Sequence, residues 1–156
     1  MATKPKPIPE GYHTVTPYLS IKGAAAALDF YKKAFGAKEI FRFAMPDGTI
    51  AHAEMLIGDS HIMLGDDGDA PGMPTFKSPT TTGKTTVGLC LYVEDVDALA
   101  KQAVAAGAKV LRAVENQFYG DRTGTFEDPF GHIWTIATHV EDVSPEELEK
   151  RARQAH

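Results

Sequence analysis

The sequence predicts an α+β fold built from two tandem βαβββ modules, and three observations carry that prediction. Short identities recur at a fixed offset: Gly36-Ala37-Lys38 returns as Gly107-Ala108-Lys109, His61-Ile62 as His132-Ile133 and Ala27-Leu28 as Ala98-Leu99, each 71 residues on, while Leu19 and Leu91 lie 72 apart. Matches that keep their order and spacing mark a duplicated supersecondary unit. Each half places one alanine-rich segment of helical period among segments of strand-like alternation. Finally, 156 residues, 43% hydrophobic and 24% charged, suit a globular chain that buries a core without disulfide help.

Residues 1–13 read as a flexible arm, and the first module spans 14–65. Val15 to Ile21 alternates and contains β-branched and aromatic residues, as a half-buried strand does. Ala24 to Phe35 reads as a helix, with Ala27, Phe30, Tyr31 and Ala34 at helical spacing and Gly36 as its stop. Lys38 to Met45 reads as a strand, Pro46-Asp47-Gly48 as a tight turn, and Thr49–Ile57 and His61–Leu64 as two further strands. The 20 residues from Asp66 to Thr85 are rich in Gly, Pro and Thr and form a linker, either mobile or a functional lid. Gly83-Lys84-Thr85 within it is no phosphate loop, because position 78 is serine where that motif needs glycine.

The second module, 86–141, repeats the plan: strand Thr86–Val93, helix Val96–Ala106 stopped by Gly107, then strands 108–114, 121–127 and 132–138. Ser144-Pro145-Glu146-Glu147 opens a short helix over 144–156, with serine as cap and proline in the first turn. That helix reads as a packing or dimer-edge element.

Charge and cysteine content narrow the function. Sixteen Lys and Arg against 21 Asp and Glu give a net charge of −5, the wrong sign for nucleic acid or an anionic membrane surface. The single cysteine excludes an internal disulfide and cysteine-rich zinc sites. No apolar run approaches the roughly 18 residues needed to span a bilayer, and the first residues lack the apolar stretch of a secretory signal. A cytoplasmic location is the expectation.

The tandem plan, with Ala27-Leu28-Asp29-Phe30-Tyr31, Phe35-Gly36-Ala37 and Asp128-Pro129-Phe130-Gly131-His132-Ile133-Trp134, resembles the glyoxalase/bleomycin-resistance/extradiol-dioxygenase (vicinal oxygen chelate) superfamily over about residues 14–141. Pro17-Tyr18-Leu19, His52-Ala53-Glu54 and Tyr119-Gly120-Asp121-Arg122 are similar to its PhnB-like subgroup. The resemblance implies a curved mixed sheet around a cavity, commonly in a homodimer. It also implies four metal-ligand positions, which fall here on Thr16, Leu64, Gly88 and Thr135. Glycine and leucine have no suitable donor, and threonine hydroxyls are weak beside imidazole or carboxylate. The expectation is therefore no usual metal site and no cofactor, which counts against glyoxalase I or dioxygenase activity.

Strand alternation sorts the remaining candidates. Ala51, Ala53, Met55 and Ile57 form a helix-facing set, which leaves His52, Glu54 and Leu56 on the cavity face. Val15, Leu19 and Ile21 pack inward, leaving Thr16, Tyr18 and Ser20 on the cavity side, with Thr135 there too from the last strand. His52 and Glu54, about 7 Å apart along the strand, read as ligand-contacting or ordinary hydrogen-bonding groups, as an acid/base pair, or as ligands of a displaced metal site. Phe118, Tyr119 and Arg122 read either as a rim that stacks on a planar ligand and pairs with its acid group, or as core aromatics beside an Asp121–Arg122 salt bridge. His61 and His132 read as turn packing, Asp66, Asp67 and Asp69 as a solvated acidic loop, and Cys90 as a small core residue.

The functional expectation is a metal-free protein of the bleomycin-resistance type that binds and sequesters an aromatic or amphipathic small molecule. The alternative is an enzyme of the same superfamily with a non-standard site using His52 and Glu54. A third possibility is a scaffold whose cavity its own side chains fill.

Overall fold

The computed structural model describes residues 3–71 and 73–155. Residues 1–2 of the arm, Gly72 of the linker and His156 of the terminal helix lie outside that set. The chain divides into two compact units, Met1–Lys84 and Thr85–His156, each carrying one βαβββ module.

The first unit contains β1 (Tyr18–Ile21), α1 (Ala24–Phe35), β2 (Lys38–Ala44), β3 (Ile50–Ile57), β4 (Ser60–Asp66) and a short α2 (Pro79–Thr82). Its sheet runs β1-β4-β3-β2. β1 is parallel to β4, and β3 is antiparallel to both its neighbours. The expected alternation of β3 is present: Ala51, Ala53, Met55 and Ile57 are buried, while His52, Glu54 and Leu56 are half-buried on the opposite face. The buried set meets α1, whose Ala24, Ala27, Leu28, Phe30, Tyr31, Ala34 and Phe35 form its apolar stripe. Each large side chain so buried contributes about 1.5–3 kcal/mol. Gly36 ends α1 at φ 66°, a left-handed conformation that glycine adopts without penalty.

Two expectations need correction here. β1 begins at Tyr18 rather than Val15, and Val15 is 81% exposed; Pro17 supplies no N–H to a ladder. The acidic cluster at the start of the linker is not a solvated loop. Further along the linker Ser78 and Pro79 open α2, with the Ser78 side chain accepting from Thr81 N. Asp66 ends β4, is only 8% exposed, and accepts backbone N–H groups from Gly23 (2.8 Å), Ala24 (3.0 Å) and Ile50 (2.6 Å). It caps α1, whose own N-cap is a glycine without a side chain. Asp67 holds the N–H and hydroxyl of Ser78, and only Asp69 lies open to solvent.

The second unit contains β5 (Gly88–Tyr92), α3 (Val96–Ala106), β6 (Lys109–Asn116), β7 (Asp121–Glu127), β8 (Ile133–His139) and α4 (Pro145–Gln154). Its strand order β5-β8-β7-β6 reproduces that of the first unit. Trp134 and Ile136 pack beneath α3 with Phe126, as expected of the last strand. Asp128 fixes the Asp-Pro-Phe-Gly turn by accepting from Phe130 N, His132 N and Trp134 Nε1 at 2.9–3.0 Å. Cys90 is exposed rather than core, because along β5 it alternates with the half-buried Leu89 and Leu91 and falls on the open face.

Candidate functional site in the first unit

β1, β3 and the N-terminal arm bring four side chains into one hydrogen-bonded line. Cross-strand pairing sets Tyr18 beside Met63 and Met63 opposite Glu54, so these three share a face. His52 lies two residues before Glu54 on that face. Tyr18 Oη is 2.8 Å from His52 Nδ1, and His52 Nε2 is 3.0 Å from Glu54 Oε1. The Tyr12 hydroxyl donates to Glu54 Oε2.

Donor inventory assigns the protons. A carboxylate only accepts, so His52 carries its hydrogen on Nε2 and receives the Tyr18 O–H on Nδ1. Burial lowers the His52 pKa from its ordinary 6.5, which keeps the ring neutral at neutral pH. The same desolvation raises the Tyr18 pKa above 10.0, so its hydroxyl stays protonated. Aromatic groups frame the line: Phe76 meets Tyr18 edge-on at 5.4 Å, and Tyr12 stacks on His61 at 3.9 Å. Beneath that stack His61 Nδ1 is buried without a hydrogen-bond partner.

Beside Glu54 opens a pocket of about 360 Å³, lined by Pro7, Ile8, Pro9, Tyr12, His13, Thr14, Thr16 and Met63 as well as Glu54 itself. Tyr12 and the proline-rich arm are the contributions that sequence reading missed. No periodicity marks Pro7–Thr14, and a lone tyrosine in a proline-rich arm carries no signal of its distant partner.

Phe118, Tyr119, Arg122 and Thr135 belong to the second unit. The expected Asp121–Arg122 pair is not formed: Arg122 reaches Asp97 of α3 with Nε at 2.8 Å and Nη2 at 2.9 Å. Strand alternation forces this, because adjacent residues of β7 point to opposite faces. Asp121 instead accepts from the Tyr92 hydroxyl at 2.6 Å and from His139 Nδ1 at 2.7 Å. That bond pushes the Tyr92 pKa up to about 12. Tyr119 is exposed and edge-on to Phe118 at 5.4 Å, while Thr135 Oγ1 lies 3.4 Å from Thr125 Oγ1.

The four superfamily metal positions do not fit a divalent ion. Leu64 is fully buried on the helix-facing side, one residue out of step with Met63 on the Glu54 face. Thr16 precedes β1, Gly88 offers no side chain, and Thr135 faces Thr125. Among the described residues no group of three or more His, Cys, Asp or Glu is placed to hold a metal, nor is any helix long and apolar enough to cross a membrane.

The strand order, the duplicated βαβββ plan and the Asp-Pro-Phe-Gly turn together define a class. The chain belongs to the Glyoxalase/Bleomycin resistance protein/Dioxygenase superfamily, whose family model matches residues 12–136. An uncharacterised protein of Mycobacterium bovis is 44% identical over 137 residues, covering 86% of this chain and 89% of its own length. Among solved structures, TioX from Micromonospora sp. ML1 superimposes with a TM-score of 0.66 at 23% identity, over 82% of this chain and 99% of its own. The PhnB protein of Bacillus cereus gives 0.63 at 17% identity, over 81% and 99%. These two likenesses are likenesses of fold.

Proposed function

We propose that the protein binds a small aromatic or amphipathic molecule at the Tyr18–His52–Glu54–Tyr12 face and sequesters it, without a metal. The observation that supports this reading is the line of four mutually hydrogen-bonded polar side chains beside a pocket with apolar walls. Burial of ligand surface against Pro7, Ile8, Pro9 and Met63 would supply affinity, and the polar line would orient the ligand. Sequestration asks for no transition-state stabilisation. The bleomycin-resistance branch of the family name gives the reading its precedent. A homodimer in the cytoplasm, as expected from the sequence, is part of the proposal.

Titration calorimetry against a panel of aromatic compounds and natural products tests it, with each compound recovered and checked by mass. Saturable binding that weakens in His52→Ala, with the ligand recovered unchanged, is the expected result. Binding unaffected by that substitution places the ligand elsewhere and refutes the site.

One observation favours a second reading, proton-transfer catalysis. Tyr18, His52 and Glu54 form a directional chain in which a carboxylate orients a neutral imidazole toward a phenol. It requires turnover of a bound compound, with a pH dependence abolished in His52→Ala and Glu54→Gln.

A further inference from the structure

We infer that the pocket beside Glu54 selects small organic cations, compounds that carry an ammonium group on a compact apolar body. The inference rests on the ligand-binding reading and specifies its ligand class.

Glu54 is a carboxylate without a counter-charge. Its two oxygens receive hydrogen bonds from His52 Nε2 and the Tyr12 hydroxyl, and both donors are neutral. Burial holds His52 in its uncharged form. Among the described residues no Lys or Arg comes within ion-pair distance of Glu54, and the Lys6 ammonium on the nearby arm is taken up by Glu10. The side chain is only 18% exposed. A charge withdrawn from water to that degree is ordinarily paired.

The lining indicates what completes the pair. Two donors leave about half of the carboxylate's roughly four acceptor sites open. Glu54 lines the pocket itself, among Pro7, Ile8, Pro9 and Met63. An ammonium there would form a charge-assisted hydrogen bond, stronger than a neutral one. The Tyr12 ring adds an aromatic surface that attracts cations, and the hydroxyls of Thr14 and Thr16 can accept further N–H groups. His13 is the remaining titratable residue of the lining. A carboxylate ligand would meet the Glu54 charge at short range, and a neutral alcohol would leave that charge unpaired. At about 360 Å³ the volume lies at the small end of ligand sites, which suits a single ring or short chain.

The probes are benzylammonium, benzyl alcohol and benzoate, three compounds of similar shape and different charge. Each is titrated at near-neutral pH into the full chain, followed by the amide and methyl resonances of Tyr12, Glu54 and Met63. The prediction is that benzylammonium binds about tenfold or more tightly than either of the others. Glu54→Gln keeps the shape and an acceptor for Tyr12, and reduces the preference to within about twofold. Circular dichroism of that variant confirms its fold. Equal binding of benzyl alcohol, or a cation preference that survives Glu54→Gln, overturns the cation inference and leaves the pocket standing. If none of the three moves those resonances, the pocket and the inference fall together.

Discussion

The Tyr18 hydroxyl sits 2.8 Å from His52 Nδ1, while the opposite ring nitrogen faces Glu54 at 3.0 Å. Every polar atom of the imidazole is therefore engaged by a side chain whose own role is fixed: Tyr18 donates, Glu54 accepts. Such a ring is held neutral and in one tautomer, as either a ligand-orienting wall or a proton relay needs.

This arrangement predicts how His52 titrates. Its folded pKa lies below the ordinary 6.5 because of burial. The unfolded chain therefore binds this proton first as pH falls, and the site's contribution to stability is lost from about pH 6.5 downward toward the folded value. Tyr18→Phe removes the donor that competes for Nδ1, so the His52 pKa should rise, with a stability loss of about 1 kcal/mol. Nitrogen-15 shifts of the ring across pH check both statements; an unchanged titration curve in Tyr18→Phe would show the bond to be absent in solution.

His139 is predicted to behave with the opposite sign. Hydrogen bonds to Asp142 and Asp121 raise its pKa above 6.5. Its contribution is complete below the unfolded value and fades as pH rises through the folded one. Asp142→Asn should lower the His139 pKa measurably by NMR, because the strongest cause of the rise is removed.

Asp66 is predicted to be the most sensitive acid in the first unit. Asp66→Ala takes the acceptor from three backbone N–H groups, two of them buried, and should cost about 2 kcal/mol or more, with Asp66→Asn milder because one oxygen remains. Urea denaturation followed by circular dichroism measures the difference. A loss under about 0.5 kcal/mol for the alanine variant, the range of ordinary surface changes, would contradict its capping role.

Gly120 is predicted to admit no side chain. Its φ is 100°, and a Cβ there would lie 2.1 Å from the Glu141 carbonyl oxygen. Gly120→Ala must displace backbone that also bonds Val140 and Glu141 to Gly120, so soluble yield or unfolding midpoint should fall sharply. A midpoint equal to the parent's would mean that the 117–121 turn relaxes freely.

The sequence carried the fold further than it carried the site. The 71-residue offset and the alternation of β3 are patterns written along the chain itself, and they foretold the module order and the shared face of His52 and Glu54. Tyr12 escaped because its partner Glu54 lies 42 residues away, across an arm with no period to read. Asp66 was mistaken for part of a solvated loop for a related reason. Asp-Asp-Gly-Asp is turn-like by composition, yet the pairing of Ile21 with Asp66 draws the first carboxylate into the sheet. Arg122 likewise has its partner on α3, 25 residues upstream, where only the three-dimensional packing reveals it.

The central claim is that ligands enter beside Glu54, and the methionine methyl spectrum tests it most directly. The chain has five methionines; Met63 lines the pocket, Met55 is fully buried beneath α1, and Met45 closes the turn after β2. On titration with a bound compound, the Met63 methyl signal should shift progressively while that of Met55 stays in place. A compound that binds saturably and leaves Met63 unmoved would contradict the account.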